Sequence, residues 1–374
     1  MKRNYSKKNV GILGGGQLAR MLVLKGHELG LRMHVLSENE DDPAAQVTRF
    51  WHQGSLSNKK SLVSFLKNVD VTTFESEFLD ADLLQDISRE HHVQIYPRPY
   101  LMARLQDRWL QKQMLNKHNM KTADFLDWKD TLRWEELHKF SPKGLVFKAR
   151  RFGYDGYGTF IIKNSKAYEN FIVQARENPH GFIIEPFIPF KRELSLICAR
   201  NKMGQFVHFP LAETYQKDAR CFWVKGPVKH SREKEFINSS RRFLNSINYV
   251  GVMGIEIFDT GKELLVNELA PRVHNTGHHS LDSLNYDQFT YHLLCLISAD
   301  LPKPELVAPA FAMVNLLGEK SKLPSWEIPN NAQVYWYGKE HNRPGRKMGH
   351  INSIANNPKA ALNQALKALK EFSL

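Results

Sequence analysis

The sequence has few cysteines and no long apolar run, and each shortage excludes a class of protein. Cys198, Cys221 and Cys295 are odd in number and far apart, with neither the spacing of a zinc motif nor that of a disulfide framework. We therefore expect reduced cysteines that pack in the interior. No stretch approaches the roughly 18 consecutive apolar residues that span a bilayer, so no membrane association is expected.

The amino terminus begins with MKRNYSKK followed by VGIL, which is the basic and then apolar order of a signal peptide. The apolar run is too short for that role, because the glycines at 14–16, Gln17 and Arg20 interrupt it. We therefore expect a cytoplasmic protein.

Acidic residues are in the minority, and the chain has a net charge of +13 and an isoelectric point near 9.5. Such a surplus of Lys and Arg is compatible with nucleic-acid binding. Apart from the amino terminus and a cluster from Lys339 to Lys347, however, basic and acidic residues alternate on amphipathic segments. This distribution argues against nucleic acid as a partner and favours small phosphorylated ligands.

The pattern of apolar residues divides the 374 residues into segments of different character, and the length predicts two or three domains. Residues 9–100 alternate strand-like and helix-like segments, which predicts a parallel α/β sheet. A helix is predicted over residues 104–118. From Gly144 onwards, longer strands joined by hairpin turns indicate an α+β domain. A last segment begins at about residue 301, contains the runs FAMVNLLG, VYWYGK and HINSIA, and ends in a helix.

Two acidic residues interrupt a predicted β-hairpin formed by GVMGIEIF and ELLVNEL, with a turn at residues 259–262. These residues, Glu256 and Glu268, stand in otherwise apolar strands. A buried carboxylate is costly unless a cation, an arginine or a hydrogen-bond network accompanies it. The pair suits magnesium and a nucleoside triphosphate, and an ion pair with Arg272 or another base explains the same residues equally well.

The segment GILGGGQLAR has the form of a strand, a glycine-rich turn and the start of a helix, which directs backbone amides towards an anion. Gly14 and Gly16 fit the dinucleotide motif, and Ala19 takes its third place, as the looser form permits. Glu38, after the next strand, could bind a ribose. A nicotinamide-dependent dehydrogenase is therefore an alternative, but it leaves the hairpin acids unexplained.

The segment KARRFGYDGYGT places Lys148 at the end of a strand, before a loop with glycines at 153, 156 and 158. Such a loop can fold over phosphates, with the lysine on an oxygen, although a plain β-turn favours the same residues. Downstream, Glu185 and Glu193 lie where acceptors for a nucleotide's ribose and adenine are needed. Solvated carboxylates are the alternative for both.

Two further clusters carry chemistry. The run RVHNTGHH begins at Arg272 and offers a guanidinium, imidazoles and an amide; its spacing matches no familiar zinc motif, and the nearby acids favour a hard cation. The run KEHNRPGRKMGH places Lys339, Arg343, Arg346 and Lys347 around a Pro-Gly turn. It is either a phosphate-binding site or a solvated basic loop.

In this order, the segments resemble the ATP-grasp superfamily and, within it, the 5-(carboxyamino)imidazole ribonucleotide synthase family. The resemblance extends from about residue 9 to residue 356. Its motifs are GILGGGQLARM, DDPAAQV, LQDR, GYDGYG, VNELAPRVHNTGHH, MVNLLG and RPGRKMGH, of which the last three are the most specific.

The resemblance implies an ATP-grasp fold with α/β and α+β parts. It implies a Rossmann-like domain over residues 1–100, an ATP-grasp domain over 101–300 with a small mobile lobe at about 120–190, and a C-terminal domain over 301–374. It also implies a homodimeric ligase that uses ATP, magnesium and bicarbonate to carboxylate 5-aminoimidazole ribonucleotide in purine biosynthesis, through carboxyphosphate.

Matching positions imply the residue roles. Glu256 and Glu268 would hold magnesium, and Arg272, His274 and Asn275 would face the bicarbonate-derived intermediate, with Asp155 orienting the amine. The implied substrate-binding residues are Gln17, Glu75, Tyr154, Asp155, Lys339, Arg346 and Lys347. The implied ATP-binding residues are Arg108, Lys148, Gly153, Tyr154, Asp155, Gly156, Tyr157, Gly158, Thr159, Glu185, Pro186, Phe187, Ile188, Glu193, Gln216, Asn267 and Glu268.

Several positions depart from the family pattern. Tyr157 replaces a usual Lys or Arg, Thr159 a usual Gln, and Gln216 a usual nucleotide-binding His; Ala219 and Phe78 also differ. None of these removes an implied metal ligand, so we expect activity with an altered nucleotide affinity. The remaining alternatives are an ATP-grasp ligase for another amine and a nucleotide-binding regulator without activity.

Overall fold

The computed structural model of the protein describes residues 7–153, 157–217, 220–319, 325–326 and 329–373. Its amino-terminal part is a parallel sheet with flanking helices, as the alternating sequence pattern predicts. The elements are β1 (Asn9–Leu13), α1 (Gln17–Glu28), β2 (Arg32–Ser37), β3 (Phe50–Gln53), α2 (Lys59–Leu66), β4 (Val71–Phe74) and α3 (Ala81–His91). The strands pair in the order β3-β2-β1-β4, and the segment VQIYP, whose pattern is strand-like, contributes only a bridge between Thr72 and Ile95.

Two short helices, α4 (Pro99–Leu105) and α5 (Arg108–Lys117), lead into the next part of the chain. The prediction of one helix over residues 104–118 is wrong, because the Asp107 carboxylate accepts the backbone N–H groups of Trp109 and Leu110 and begins a new helix. This cap places Arg108 on the first turn of α5, where it reaches the hairpin acids.

A small lobe follows, with an antiparallel sheet in the order β5-β8-β6-β7. Phe147, Phe171 and Phe182 belong to a hydrophobic core of its own. A lobe with its own core can move as one body. The mobility of this lobe stays a prediction. The elements are β5 (Leu126–Asp127), α6 (Trp134–Phe140), β6 (Leu145–Ala149), β7 (Thr159–Ile162), α7 (Ser165–Ala175) and β8 (Phe182–Pro186).

The largest sheet has nine strands in the order β14-β13-β9-β11-β12-β15-β18-β17, with β10 beside β9. Its strands are β9 (Arg192–Arg200), β10 (Phe206–His208), β11 (Ala212–Lys217), β12 (Arg220–Gly226), β13 (Gly251–Asp259), β14 (Leu264–Ala270), β15 (Ala310–Leu317), β17 (Gln333–Trp336) and β18 (Lys347–Ala355). The remaining elements are α8 (Glu233–Ser246), α9 (Ser280–Ser283), α10 (Gln288–Leu296), β16 (Ser325–Trp326), α11 (Pro358–Leu369) and β19 (Phe372–Ser373).

This sheet continues past residue 301, because β12 pairs with β15 through Trp223 and Val314. In the last segment, β15, β17 and β18 therefore extend the preceding sheet, while β16 and β19 pair with each other in a separate two-stranded sheet. The domain limits near residues 100 and 300 stay predictions. Within the described part of the chain, no helix combines the length and hydrophobicity needed to cross a bilayer. Cys198, Cys221 and Cys295 are free and buried, as expected.

A buried histidine joins the amino-terminal sheet to the large sheet. His292 lies on α10, and its Nδ1 accepts the backbone N–H of Val252 at 3.0 Å. Because Nδ1 is the acceptor, the neutral ring carries its proton on Nε2 and donates to the Thr73 hydroxyl at 2.7 Å. Burial lowers the pKa of His292 to about 4, so the imidazole is neutral near pH 7.

We predict that this histidine contributes to the loss of stability in acid. The unfolded state binds the proton at pH 6.5 while the folded state resists it down to about pH 4, so stability falls as the pH drops through this window. The shift corresponds to at most about 3 kcal/mol. His292→Gln should lower the melting temperature most at pH 7, and the gap to wild type should narrow towards pH 4.5.

The control is His341→Gln, which alters a histidine whose side chain is 62% exposed. The difference in melting temperature between this variant and wild type should stay constant with pH. A gap for His292→Gln that is as wide at pH 4.5 as at pH 7 would contradict the proposed linkage.

Candidate active site

A cavity of about 810 Å³ lies between the small lobe, the large sheet and the start of α1. Residues from every part of the chain line it, including Glu77 from the loop after β4 and Lys347 from β18. The residues named from the sequence that line it are Gln17, Arg108, Lys148, Gly153, Tyr157, Thr159, Glu185, Pro186, Phe187, Ile188, Glu193, Gln216, Glu256, Asn267, Glu268, Arg272, His274, Asn275 and Lys347.

The two hairpin acids lie where the sequence pattern predicts. Glu256 on β13 is directly opposite Glu268 on β14, so both side chains project from the same face of the sheet. The Asp259 carboxylate accepts the N–H of Gly261, whose φ of 83° allows the tight turn between the strands. The local sequence therefore builds a rigid support for two carboxylates at the cavity wall.

The partners of these acids differ from the ion pair with Arg272 that the sequence allows. Arg108 donates to both oxygens of Glu268 at 3.0 and 2.9 Å, and His274 Nε2 lies 3.4 Å from Glu256. Arg272 instead makes a bidentate pair with Glu77, through Nε and through Nη2 at 2.9 Å. The suggestion of another base is thus correct, and that base is Arg108.

A buried charge network surrounds Lys148. Its Nζ donates to Glu185 at 2.9 Å and to the Asn267 amide oxygen at 2.7 Å. Lys112, which is 2% exposed, lies 2.9 Å from the other oxygen of Glu185. Burial alone would raise the pKa of Glu185, but Lys148 and Lys112 outweigh it and lower the pKa. Glu185 is thus an ionised, buried carboxylate, and the solvated alternative for it is wrong.

Sequence reasoning missed Lys112. One signal was present: Lys112 follows Arg108 by four residues, so both lie on one face of α5. The signal was weak, since an amphipathic helix with a cationic face is common on protein surfaces. Only the tertiary structure shows that this lysine is buried against Glu185.

Glu193 on β9 also lines the cavity. Burial, and then the charge of Glu256, raise the pKa of Glu193 to about 7. Glu256 shows the opposite balance, because His274, Lys148 and Lys347 overcome the effect of burial and lower its pKa. The acids of the cavity therefore differ in their readiness to lose a proton.

The glycine-rich turn before α1 receives an internal carboxylate. Glu75 accepts the backbone N–H of Gly16 at 2.5 Å, and a Cβ at Gly16 would collide with that carboxylate. Gly14 has a φ of 112° beside the same group. The amides at the start of the helix thus face the protein's own anion, while Glu38 is exposed. This arrangement removes the main support for a dinucleotide site.

Two basic residues of the carboxyl-terminal cluster contact backbone carbonyls. Lys339 Nζ donates to the Lys347 carbonyl at 2.6 Å, and Arg346 Nη1 donates to the His341 carbonyl at 2.7 Å. Of the four basic residues of this cluster, only Lys347 is among the described residues that line the cavity; the others are Lys339, Arg343 and Arg346. Burial raises the pKa of Glu75, and its hydrogen bond from Gly16 and the charges of Arg272 and Lys339 only partly offset that rise.

Some predicted residues contribute differently or lie outside the described chain. Gly158 has a φ of 76° and packs against Ala149 behind the cavity wall. His278 and His279 of the histidine-rich run are buried, and burial lowers the pKa of each.

Among the described residues, no group of three or more His, Cys, Asp or Glu side chains is arranged to hold a metal by itself. Tyr154, Asp155, Gly156 and Ala219 lie outside the described residues.

Family models match this chain in three consecutive parts. A ribonucleotide synthetase preATP-grasp domain matches residues 7–106, an ATP-grasp domain matches 113–289, and a phosphoribosylaminoimidazole carboxylase C-terminal domain matches 312–364. These limits agree in order with the three parts implied by the sequence motifs.

Relatives extend over nearly the whole chain. The N5-carboxyaminoimidazole ribonucleotide synthase of Synechococcus elongatus is 34% identical, with 92% of this chain and 89% of that protein covered. The N5-carboxyaminoimidazole synthetase of Staphylococcus aureus, solved with ADP, has a TM-score of 0.89 at 28% identity, covering 98% of this chain and 99% of that one.

The synthase of Aspergillus clavatus, solved with ADP and 5-aminoimidazole ribonucleotide, has a TM-score of 0.86 at 25% identity, covering 98% of this chain and all of that one. Likeness over this length, in both sequence and fold, confirms the resemblance drawn from the motifs. The chain belongs to the N5-carboxyaminoimidazole ribonucleotide synthase family of ATP-grasp ligases.

Proposed function

We propose that the protein carboxylates 5-aminoimidazole ribonucleotide to 5-(carboxyamino)imidazole ribonucleotide, using ATP and bicarbonate, in purine biosynthesis. The observation that carries the proposal is the pair Glu256 and Glu268, opposite each other on one hairpin and flanked by Arg108 and Lys148 at the cavity wall. A triphosphate needs such a mixture of cations and metal-binding oxygens.

The proposed reaction begins with activation of bicarbonate, which is a poor electrophile. Transfer of the γ-phosphoryl group from ATP to a bicarbonate oxygen gives carboxyphosphate and ADP, and converts that oxygen into a phosphate leaving group. Carboxyphosphate then breaks its C–O bond to give carbon dioxide and phosphate. The exocyclic amine of the ribonucleotide captures the carbon dioxide, loses a proton and becomes the carbamate.

The cations of the cavity suit the phosphoryl transfer. Lys148 and Arg108 are held by Glu185, Asn267 and Glu268, which orients both cations at the cavity. Lys112 lies 2.9 Å from Glu185, so Lys148 can turn to a phosphate without leaving that carboxylate unpaired. Tyr157 and Thr159 lie at the cavity in place of residues usual in the family, and an altered nucleotide affinity is part of the proposal.

The donor set at the hairpin fits magnesium. Glu256 and Glu268 offer hard carboxylate oxygens from the same face of one hairpin, and magnesium usually takes one or two carboxylates together with phosphate oxygens and water. When bound, the ion neutralises charge on the phosphates. Arg108 donates to both oxygens of Glu268, so it would share those oxygens with the ion or release them, and its guanidinium would then be available to the triphosphate.

The second half of the reaction is assigned to the segment after β14. We assign Arg272, His274 and Asn275 to the bicarbonate-derived intermediate, because they line the cavity directly beyond the metal-binding acids. Asp155 is assigned to the amine. Gln17, Glu75, Tyr154, Lys339, Arg346 and Lys347 are assigned to the ribonucleotide. Closure of the small lobe over about residues 120–190 would keep water from the intermediate.

The finer properties belong to the same proposal and rest on the family likeness: magnesium as the ion, a homodimer, a cytoplasmic location, and domains over residues 1–100, 101–300 and 301–374. Size-exclusion chromatography with light scattering tests the homodimer directly, since a dimer of 43.3 kDa chains is well separated from the monomer.

We expect phosphate release from ATP that depends on both bicarbonate and 5-aminoimidazole ribonucleotide. A coupled phosphate assay with each component omitted in turn measures this dependence. An ATP-grasp ligase for another amine would ignore the ribonucleotide, and a regulator would release no phosphate. ATP consumption that does not respond to the ribonucleotide would contradict the proposed substrate.

Glu268→Gln should keep its fold and lose ATP turnover by on the order of 100-fold, because the amide cannot supply the negative charge that a divalent ion requires. Circular dichroism checks the fold and phosphate release checks the activity. The matched control is Glu263→Gln on the same hairpin, which alters a carboxylate paired with Lys121 and 41% exposed, and should keep wild-type turnover. Wild-type turnover in Glu268→Gln would rule out the metal-binding role.

Lys339→Ala should raise the apparent KM for the ribonucleotide by about tenfold and leave the KM for ATP within about twofold, because it removes a cation assigned to the phosphate of that substrate. Steady-state kinetics with each substrate varied separates the two constants. Lys303→Ala removes a lysine with an 85% exposed side chain and is the control. An unchanged constant for the ribonucleotide in Lys339→Ala would refute the assignment.

A further inference from the structure

Two buried glutamines, Gln111 and Gln288, share an unusual pattern of hydrogen bonds. Gln111 is 3% exposed and Gln288 is fully buried. Each uses its side-chain amide to bind both the N–H and the C=O of a single backbone residue, Leu269 for Gln111 and His274 for Gln288. The two bound residues lie at the two ends of the segment that carries the candidate catalytic side chains.

Gln111 holds the first end. Its Oε1 accepts the N–H of Leu269 at 2.9 Å, and its Nε2 donates to the carbonyls of Leu269 at 3.0 Å and Leu105 at 2.9 Å. Leu269 directly follows Glu268 on β14, which is the edge strand of the nine-stranded sheet. An edge strand has no neighbouring strand on its outer side, so a side chain from α5 supplies the pairing there.

Gln288 holds the second end, from the first turn of α10. Its Oε1 accepts the N–H of His274 at 2.8 Å, and its Nε2 donates to the His274 carbonyl at 2.8 Å. Because Oε1 accepts an N–H, the orientation of the amide is determined, and Nε2 also donates to His278 Nδ1 at 2.8 Å. The neutral ring of His278 therefore carries its proton on Nε2.

The chain between these two points has left the sheet. β14 ends at Ala270, and the 3-10 turn Asn275–Gly277 begins only after His274. Hydrogen bonds between strands cannot orient the residues that follow the end of β14. Those residues nevertheless include Arg272, His274 and Asn275, which are candidate catalytic side chains. Gln288 packs closely against the turn at Gly277, because a Cβ at that position would collide with Gln288 Oε1.

We propose that Gln111 and Gln288 are positioning residues that hold segment 268–275 at both ends, and so set the places of Glu268 and His274 in the cavity. The proposal deepens the proposed function and rests on it for its kinetic consequences. Neither glutamine is among the described residues that line the cavity, so each acts through the groups it binds, which for Gln288 include the His278 ring as well as the His274 backbone.

The two ends have different consequences. Displacing Leu269 moves Glu268, which is assigned to the metal and ATP, whereas displacing His274 moves the residues assigned to the bicarbonate-derived intermediate. Loss of Gln111 should thus affect nucleotide binding, and loss of Gln288 should affect the coupling of ATP use to carboxylation.

Gln111→Met and Gln288→Met test the proposal, since methionine keeps the length of the side chain and removes its hydrogen bonds. Gln111→Met should raise the KM for ATP by about tenfold with a smaller change in kcat. Gln288→Met should leave the KM for ATP within about twofold, lower carbamate formation by about tenfold, and raise the ratio of phosphate released to carbamate formed. Hydrogen exchange of peptides covering residues 264–278 should be faster in both variants.

The control is Asn201→Leu. Asn201 is fully buried, and its amide binds the backbone of Ala299, Met203 and Gln205 away from the cavity. This variant should lose stability without changing either KM, the coupling ratio or exchange in residues 264–278. If Gln111→Met and Gln288→Met also lose stability without changing either KM, the coupling ratio or the exchange, then Gln111 and Gln288 are ordinary buried amides and the proposal is overturned.

The failure of the proposed function gives a different result. In that case the wild-type protein itself shows no ribonucleotide-dependent phosphate release. The positioning role is then decided by hydrogen exchange in residues 264–278 and by calorimetric binding of magnesium ATP to Gln111→Met, and unchanged exchange in both variants overturns it.

Discussion

The pairing of carboxylates with cations around the cavity is the interaction on which the rest of the site depends. Burying a lone carboxylate costs several kcal/mol, so Glu185, which is 2% exposed, requires the positively charged neighbours that other elements supply, whereas Glu256 and Glu268 are about one third exposed and also lie beside cations. These neighbours join α5, the small lobe and the large sheet into one wall. The acids are Glu185, Glu256 and Glu268, and the cations beside them include Lys112, Lys148 and Arg108.

The same charges serve folding and function at once. Arg108 and Lys148 are held by protein oxygens, and a triphosphate would offer them stronger acceptors. Lys112 would remain beside Glu185 if Lys148 turned away. Contacts of this kind orient the cations, which would lower the cost of arranging groups during the proposed reaction.

The amino-terminal sheet contributes to this cavity through charge as well as shape. Glu75 takes the anion position of the glycine turn, and Glu77, from the loop after β4, holds Arg272. The turn has the glycine pattern of a dinucleotide motif, while the Gly16 amide binds an internal carboxylate. A motif of this kind thus identifies a backbone conformation, and the neighbouring side chains decide which anion it receives.

Much of the fold and part of the site followed from local patterns. Alternation predicted the parallel sheet, and the turn at residues 259–262 predicted the hairpin that sets Glu256 opposite Glu268. The motifs, through their resemblance to a known family, identified most of the cavity-lining residues. The break between α4 and α5 was missed, because Asp107 is one polar residue in a helical pattern and only its hydrogen bonds reveal a cap.

The sequence by itself determined the order of the elements, the family and the two acids of the hairpin, because each depends on residues close together in the chain. The tertiary structure alone decided the partners: Arg108 rather than Arg272 for Glu268, Lys112 for Glu185, and Gln111 and Gln288 for segment 268–275. These contacts join residues from separate elements. Their geometry is set by how sheets and helices pack, which no local pattern of residue types records.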